Sequence, residues 1–486
     1  MSDTSITATP ATPATQPRHL DQVPGPWPLP IVGNLLQITP TKMHLQLEAW
    51  CKTFGPIYRL HMGRRPVLVV AQHDITAALL RDRPDGFRRS SQMEKIASEM
   101  GLLPGVFMAN GEDWKRQRRM VMVGFDPTHV RRYHPALQRV AQRLAGRWSR
   151  AARQGAVIDL QADLMRYTVD AIAGLAFGAE VNTLESDGDV IQRHLDKIFP
   201  AWFGRMVSPL PTWRWFRTPA VRQLERSVAA VNESVQGFIV GARQRLQANP
   251  GLREQPGNLL EAMLVAADEP DSGITDAQVA GNVLTMLLAG EDTTANTLAW
   301  MIDLLWQHPQ ALARATEEVR RVTSPTEAPT LEQLSALDYI EACAHETMRL
   351  RPVAPLIALQ ALRDTVVGDV AITKGTVVIN VMRHDSVSDR HVPNAAAFEP
   401  ERWLADGQPG TAAASAKRTS MPFGAGPRIC PGRYMALLEM KLAMATLLGR
   451  FDITAVDTED GLPAREVLKF AMAPMGLRMK LRERSV

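Results

Sequence analysis

The sequence predicts a mainly α-helical protein with small β-sheets, and three observations carry that expectation. From about Asp74 to Arg321 apolar residues recur at helical spacing, in segments such as His134 to Arg153 and Gln223 to Gln247. Strand-like runs are short and fall outside that stretch: Ile57 to His61 and Val67 to Ala71 about a turn at Gly63, then Thr365 to Asn380 and Met475 to Lys480. The 486 residues are 45% hydrophobic and 22% charged, the balance of a soluble globular protein large enough to enclose a cavity.

Residues 1–23 form a Thr/Ala/Pro-rich tail, expected to be disordered. It has neither the apolar core of a signal peptide nor the roughly 20 apolar residues of a membrane span, so a cytoplasmic chain without a transmembrane anchor is expected. Prolines from Pro24 to Pro30 make an extended strap into one unit, residues 24–486, with no internal repeat. Loops are expected at 249–258 and 268–273. Thr275 and Gln278 then form a capping box, opening a helix that runs to Trp306 and stops before Pro309. About 32 residues at 1.5 Å each span roughly 48 Å, and the helix is apolar nearly all round, so it should be buried. Its middle, Ala289-Gly290-Glu291-Asp292-Thr293-Thr294, is unusual there. Glycine costs about 1 kcal/mol in a helix relative to alanine, and a buried carboxylate needs a partner or a task. The stretch Gly407 to Arg418 reads as a small-residue loop before the segment that carries Cys430.

A formal charge of +4 leaves no nucleic-acid footprint in the totals. Cys51, Cys343 and Cys430 are too few, and odd in number, for a disulfide framework, so a cysteine that matters should matter as a thiolate. Residues 422–432 read Pro-Phe-Gly-Ala-Gly-Pro-Arg-Ile-Cys-Pro-Gly, a tight loop just before a helix expected from Arg433. The helix N-terminus and loop N–H groups favour ionised Cys430, and Arg428 suits a carboxylate nearby. A lone cysteine is more often a small core residue. Here Phe423, Gly426, Arg428, Cys430 and Gly432 spell F-x-x-G-x-R-x-C-x-G, a pattern expected by chance in on the order of one in ten thousand chains of this length.

That pattern resembles the heme-ligand signature of the cytochrome P-450 family, and further elements follow the family's order. Glu346 and Arg349 resemble its E-x-x-R helix, and Phe398 to Arg402 its F-x-P-E-R-F element, with Trp403 in the last place. The resemblance implies a buried ionic cluster of Glu346, Arg349 and Arg402 that locks the cysteine loop. By spacing alone, Glu346 and Arg349 could equally be a surface pair. Trp114 and Arg118 match W-x-x-x-R and share a helix face, so both could reach one heme propionate; a solvated basic helix is the plainer alternative. The family often has an arginine five residues before an aspartate, but here Leu359 precedes Asp364. The resemblance implies the cytochrome P-450 fold, with heme b (iron protoporphyrin IX) between the long central helix and the cysteine loop and its helix. It further implies a soluble, bacterial-type, single-domain, monomeric member.

A thiolate ligand favours O–O cleavage. By resemblance, Asp292 and Thr293 are an acid–alcohol pair: Thr293 holds dioxygen and a water, Asp292 relays protons, and Gly290 opens the helix for oxygen. Otherwise Thr293 back-bonds to a helix carbonyl and Asp292 pairs with a surface cation. The pair favours a monooxygenase over a heme-binding sensor or carrier without turnover. Electrons then come from NAD(P)H through a separate ferredoxin or flavodoxin and its reductase. Arg118, Arg119, Lys417 and Arg418 are candidate contacts for an acidic donor, or ordinary solvated cations. The implied pocket draws on Leu102, Leu103, Phe107, Met286, Ala289, Val353, Leu356, Ile357, Phe470 and Met472, which together point to a small hydrophobic substrate. Trp202, Phe203, Trp213, Trp215 and Phe216 concentrate in residues 199–216, as an entrance lid, a membrane-touching surface or core. A competing reading takes His384, Asp385 and His391 as a non-heme iron triad.

Overall fold

The computed structural model describes residues 16–179, 181–186, 190–208, 210–404 and 411–484. Helices dominate. The largest apolar cluster gathers the inner faces of Pro127–Gln154, Leu160–Phe177, Pro219–Ala248, Asp276–Gln307 and Arg433–Arg450. The central helix Asp276–Gln307 starts at the predicted capping box: Thr275 Oγ1 accepts from Gln278 N–H, and Gln278 Oε1 accepts from Thr275 N–H. It is buried along most of its length and packs chiefly against Leu160–Phe177.

The predicted hairpin forms as Ile57–Met62 and Arg65–Val70 and joins a five-stranded sheet. Arg65–Val70 runs parallel to Val377–Val381; Leu356–Ala361 and Phe87–Arg89 then complete the sheet antiparallel. Near the C-terminus Phe451–Thr458 pairs with Leu477–Glu483, and Arg465–Leu468 with Met472–Met475.

Two expectations shift. The tail was expected to reach residue 23, yet Arg18–His19 pairs in parallel with Val370–Ile372, and Arg18 bonds Asp369 at 2.7 and 2.9 Å. Residues 1–15 of the tail lie outside the described residues. Within the expected loop at 407–418, Ala412–Thr419 is a helix capped by Thr411 Oγ1, because alanine is the best helix former and threonine a good N-cap. Residues 407–410 lie outside the described residues. No helix among the described residues is long and apolar enough to cross a membrane.

Candidate functional site: a cavity between the central helix and the Cys430 loop

A cavity of about 1510 Å³ opens between the middle of the central helix and the Cys430 loop. Drug-sized ligand pockets run to about 1,000 Å³, so this one has room for a large cofactor and a second molecule. One wall carries Met286, Ala289, Gly290, Asp292 and Thr293, and the opposite wall Phe423, Arg428 and Cys430. Leu102, Leu103, Phe107, Val353, Leu356, Ile357 and Phe470 also line it. Met472 does not. It is fully buried in a core cluster with Leu47, Tyr58 and Trp300, while Ala471, just before the strand Met472–Met475, lines the cavity.

The Cys430 loop sits just before the helix Arg433–Arg450, and Cys430 N–H donates to Phe423 C=O at 2.9 Å. The loop's own groups act as expected on the Cys430 thiol, but they do not set its net direction. Burial pushes the thiol up, outweighing the Gly432 N–H, Arg118 and Arg433, which pull it down. A cation facing the sulfur is what would hold it ionised.

Trp114 and Arg118 both line the cavity, on the helix Gly111–Gly124. Arg118 Nη2 donates to Ile429 C=O at 2.8 Å, and the Arg428 guanidinium lies 5.0 Å over the Trp114 ring. Arg428 itself donates to the carbonyls of Val106, Phe107 and Ala109 at 3.0, 3.4 and 2.7 Å, and to Asn110 Oδ1 at 3.2 Å. Two further arginines, which the sequence reading missed, join this wall. Arg83 is buried, and its Nε and Nη2 have no hydrogen-bond partner. Arg89 lies 3.5 Å from the Phe107 ring centroid and donates Nε to Phe107 C=O at 2.7 Å. It stands directly across the sheet from Leu359, the position where the family pattern would have an arginine. The only sequence signal was a basic run, Arg81 to Arg89, beside a short strand.

Burial, then the like charges of Arg83 and Arg428, hold Arg89 well below the usual arginine range. Burial lowers Arg83 to about 10, and burial, then Arg83 and Arg118, lowers Arg428 to about 9. Among the described residues none of Arg83, Arg89, Arg118 and Arg428 pairs with a carboxylate. One buried and three half-buried guanidiniums without a carboxylate ion pair fit a dianionic ligand, and the two carboxylates of heme, with Cys430 available to its iron, would match that donor set.

Opposite the cysteine, the helix runs unbroken through Gly290, so the expected opening is absent. A Cβ at Gly290 would lie 3.2 Å from Ile172 Cγ1: the glycine serves close approach to the helix Leu160–Phe177. Thr293 Oγ1 donates to Ala289 C=O at 2.8 Å, the back-bonded rotamer. Asp292 is half-buried beside it. Glu439, also missed, lines the cavity from the cysteine helix, and burial pushes its carboxyl up to about 8. Its signal was an acid inside the apolar run Ala436-Leu437-Leu438-Glu439-Met440.

The ionic cluster is present and fully buried. Arg349 bonds Glu346 twice, at 2.7 and 2.8 Å, and donates to the carbonyls of Ser386, Ala395 and Ala397. Arg402 reaches Glu346 at 3.2 Å and the carbonyls of Pro393 and Asn394. What it grips directly is the segment 386–403, upstream of the cysteine loop. Trp403 adds Nε1–H to Glu346 Oε2 at 2.8 Å, a bond the family's phenylalanine cannot make.

The aromatic segment divides. Phe199, Trp202 and Phe203 line the cavity, Trp213 is half-buried against Glu99, and Trp215 and Phe216 are exposed. Phe470, at φ +137°, stacks on Phe199 at 4.3 Å and on Trp202 at 5.3 Å. His384, Asp385 and His391 do not line the cavity.

The cytochrome P450 family model matches residues 23–481. The chain belongs to the cytochrome P450 family. Its fold agrees with a crystal structure of a cytochrome P450DA mutant heme domain, at TM-score 0.81 and 25% identity over 95% of this chain and 98% of that one. Similar sequences include protein LUTEIN DEFICIENT 5, chloroplastic, of Arabidopsis thaliana, 27% identical over 86% of this chain and 71% of that protein. The self-sufficient cytochrome P450 monooxygenase CYP505U2 of Exserohilum turcicum is 30% identical over 96% of this chain. This chain spans only 43% of that fungal protein's length.

Proposed function

We propose that this P450 is a heme-thiolate monooxygenase that activates dioxygen with externally supplied electrons and hydroxylates or epoxidises a small hydrophobic substrate. The observation that carries the reading is one cavity walled by Cys430, by Asp292 and Thr293, and by four guanidiniums without carboxylate partners. Cys430 would ligate the heme iron, Trp114, Arg83, Arg89, Arg118 and Arg428 would hold the heme carboxylates, and Phe423 and Gly290 would complete the cofactor's walls. When bound, heme supplies the reductive cleavage of dioxygen, favoured by thiolate donation.

The chain's own groups do the rest. Thr293 Oγ1 turns from Ala289 C=O into the cavity, where it positions a water and passes a proton. Asp292, half-buried on the same turn, exchanges that proton with solvent. Leu102, Leu103, Met286, Val353, Leu356 and Ile357 exclude water and favour an apolar substrate. Electrons reach residues 24–486, read as one domain of a cytoplasmic monomer, from NAD(P)H through a ferredoxin or flavodoxin with its reductase.

Two measurements test the reading. The reduced protein with carbon monoxide should show a thiolate-type heme band, abolished by Cys430→Ala. Ferric protein titrated with fatty acids, terpenoids, steroids and small aromatics should shift its heme spectrum with one class. That class should be oxygenated when NAD(P)H and a donor are supplied, and Thr293→Val should keep the spectral shift while uncoupling product from NAD(P)H use. A thiolate band without turnover of any ligand that binds would make the protein a sensor or carrier instead.

A further inference from the structure

The triad suggested by His384, Asp385 and His391 is not assembled as such, but a related constellation is. The fold brings His73, at the start of the helix His73–Arg81, against the segment that follows Val377–Val381. One ligand atom from each of His73, Asp385 and His391 then lies within 4.8 Å of the others. His73 Nδ1 is 2.8 Å from Asp385 Oδ2, and His391 Nε2 is 3.6 Å from Asp385 Oδ1. The two imidazole centroids are 4.9 Å apart, edge to face.

We propose that His73, Asp385 and His391 form a zinc-type divalent-cation site, separate from the heme cavity, with solvent as the fourth ligand. Two imidazoles and a carboxylate are a borderline-soft donor set that suits this ion. With bonds near 2.0–2.1 Å, tetrahedral ligand atoms stand roughly 3.3 Å apart, between the two separations observed. The surroundings match what orients metal ligands. His384 Nδ1 lies 3.0 Å from Asp385 Oδ1, and Asp74 Oδ1 is 3.0 Å from His73 Nε2. That second approach lacks hydrogen-bond alignment, so His73 Nε2 is a buried nitrogen without a hydrogen bond. His73 and Asp385 are buried, whereas His391 is partly open to water and gives an entry path.

Capping explains only part of this cluster. The Asp385 carboxylate accepts the His73 backbone N–H at 2.8 Å and so tethers the helix start. It does not explain a second imidazole held over the same carboxylate beyond hydrogen-bond reach. An ion there would staple two supports of the heme site. The helix His73–Arg81 packs so closely on the cysteine loop that a Cβ at Gly426 would be 2.7 Å from Arg81 Cα. On the other side, Ser386 C=O is gripped by Arg349 at 2.6 Å.

The test is a competition titration of chelator-stripped protein with Zn²⁺ against a chromogenic chelator, alongside thermal unfolding with and without Zn²⁺. Wild type should take up one equivalent and unfold at higher temperature with zinc. His391→Ala, which changes a partly exposed side chain and should fold, should lose at least about tenfold in affinity and the thermal gain. His345→Ala should lose neither; it removes a histidine lying 3.8 Å from Glu341, the most similar surface pair. Cys430 is common to all three proteins, so any thiol contribution cancels. No tight equivalent in wild type, or equal affinity in wild type and His391→Ala, overturns the site.

Discussion

Gly281 should be among the least replaceable positions in the cavity wall. A Cβ built there lies 2.5 Å from Pro104 C and 2.9 Å from Gly105 N, where ordinary contact begins at 3.4 Å. Both neighbours are backbone, so Gly281→Ala must push the loop around Pro104 outward by roughly 0.9 Å. The loop cannot yield without loss, because Val106 N–H donates to Asn282 Oδ1 at 2.9 Å and Asn282 is fully buried. Overpacking costs about 1–3 kcal/mol, and uncovering a buried amide about 1–3 more. Alanine recovers up to about 1 kcal/mol of helix propensity, leaving a net loss of about 1–5 kcal/mol. The assay is thermal unfolding beside Gly237→Ala, a helical glycine with nothing within 4 Å of its built Cβ. Gly237→Ala should be neutral or slightly stabilising. If Gly281→Ala unfolds at the same temperature as Gly237→Ala, the loop is not seated on the helix as described.

Three other perturbations have definite signs. Trp403→Phe, which restores the residue typical of the family, should lower stability by about 1.5–3 kcal/mol in denaturant unfolding, since Glu346 loses a buried charge-assisted bond. Glu439 has a folded-state value raised from 4.5 to about 8, so its contribution is fully present below 4.5 and is lost as pH rises through about 8. Wild type should therefore lose stability relative to Glu439→Gln as pH rises from 5 to 8 in parallel unfolding curves; parallel profiles would refute an uncharged Glu439. Phe470→Gly relieves a positive φ but removes the one ring that stacks on both Phe199 and Trp202. Strain relief of about 1–3 kcal/mol offsets only part of stacking losses of about 0.5–1.5 each added to about 3–5 for truncating a packed phenylalanine, so thermal stability should fall while bulkier ligands bind more tightly in optical titrations.

How much of this was legible follows from where each signal resides. Local patterns carried far. The capping box at Thr275 set the start of a 32-residue helix, and the spacing of Phe423, Arg428 and Cys430 marked the loop that faces it. Glu346 and Arg349 were legible through the order of the motifs around them and not through their i,i+3 spacing; the Arg402 guanidinium and three carbonyls that satisfy the pair in the core are visible only in the structure. What failed depended on long-range packing. Arg83 and Arg89 look like ordinary surface arginines until the sheet sets Arg89 opposite Leu359. Gly290 read as a helix opener because a glycine's neighbour on another helix, Ile172, leaves no mark nearby in sequence. Ala471, just before the strand Met472–Met475, lines the cavity while Met472 is buried away from it, and apolar composition cannot tell the two apart.

The same packing joins two functions that the sequence kept apart. The loop from Leu102 to Ala109 forms a substrate wall, yet its carbonyls at Val106, Phe107 and Ala109 are held by Arg428, and Phe107 C=O also by Arg89. From the other side Asn282 and Gly281 pin it to the central helix. The cations proposed to face the heme carboxylates are thus the same groups that fix this loop. A buried guanidinium cannot satisfy both without a defined geometry, because each lost hydrogen bond at this depth costs about 1–3 kcal/mol. Cofactor seating and pocket shape are therefore one equilibrium, and a protein without its cofactor should hold this loop less firmly than one that carries it.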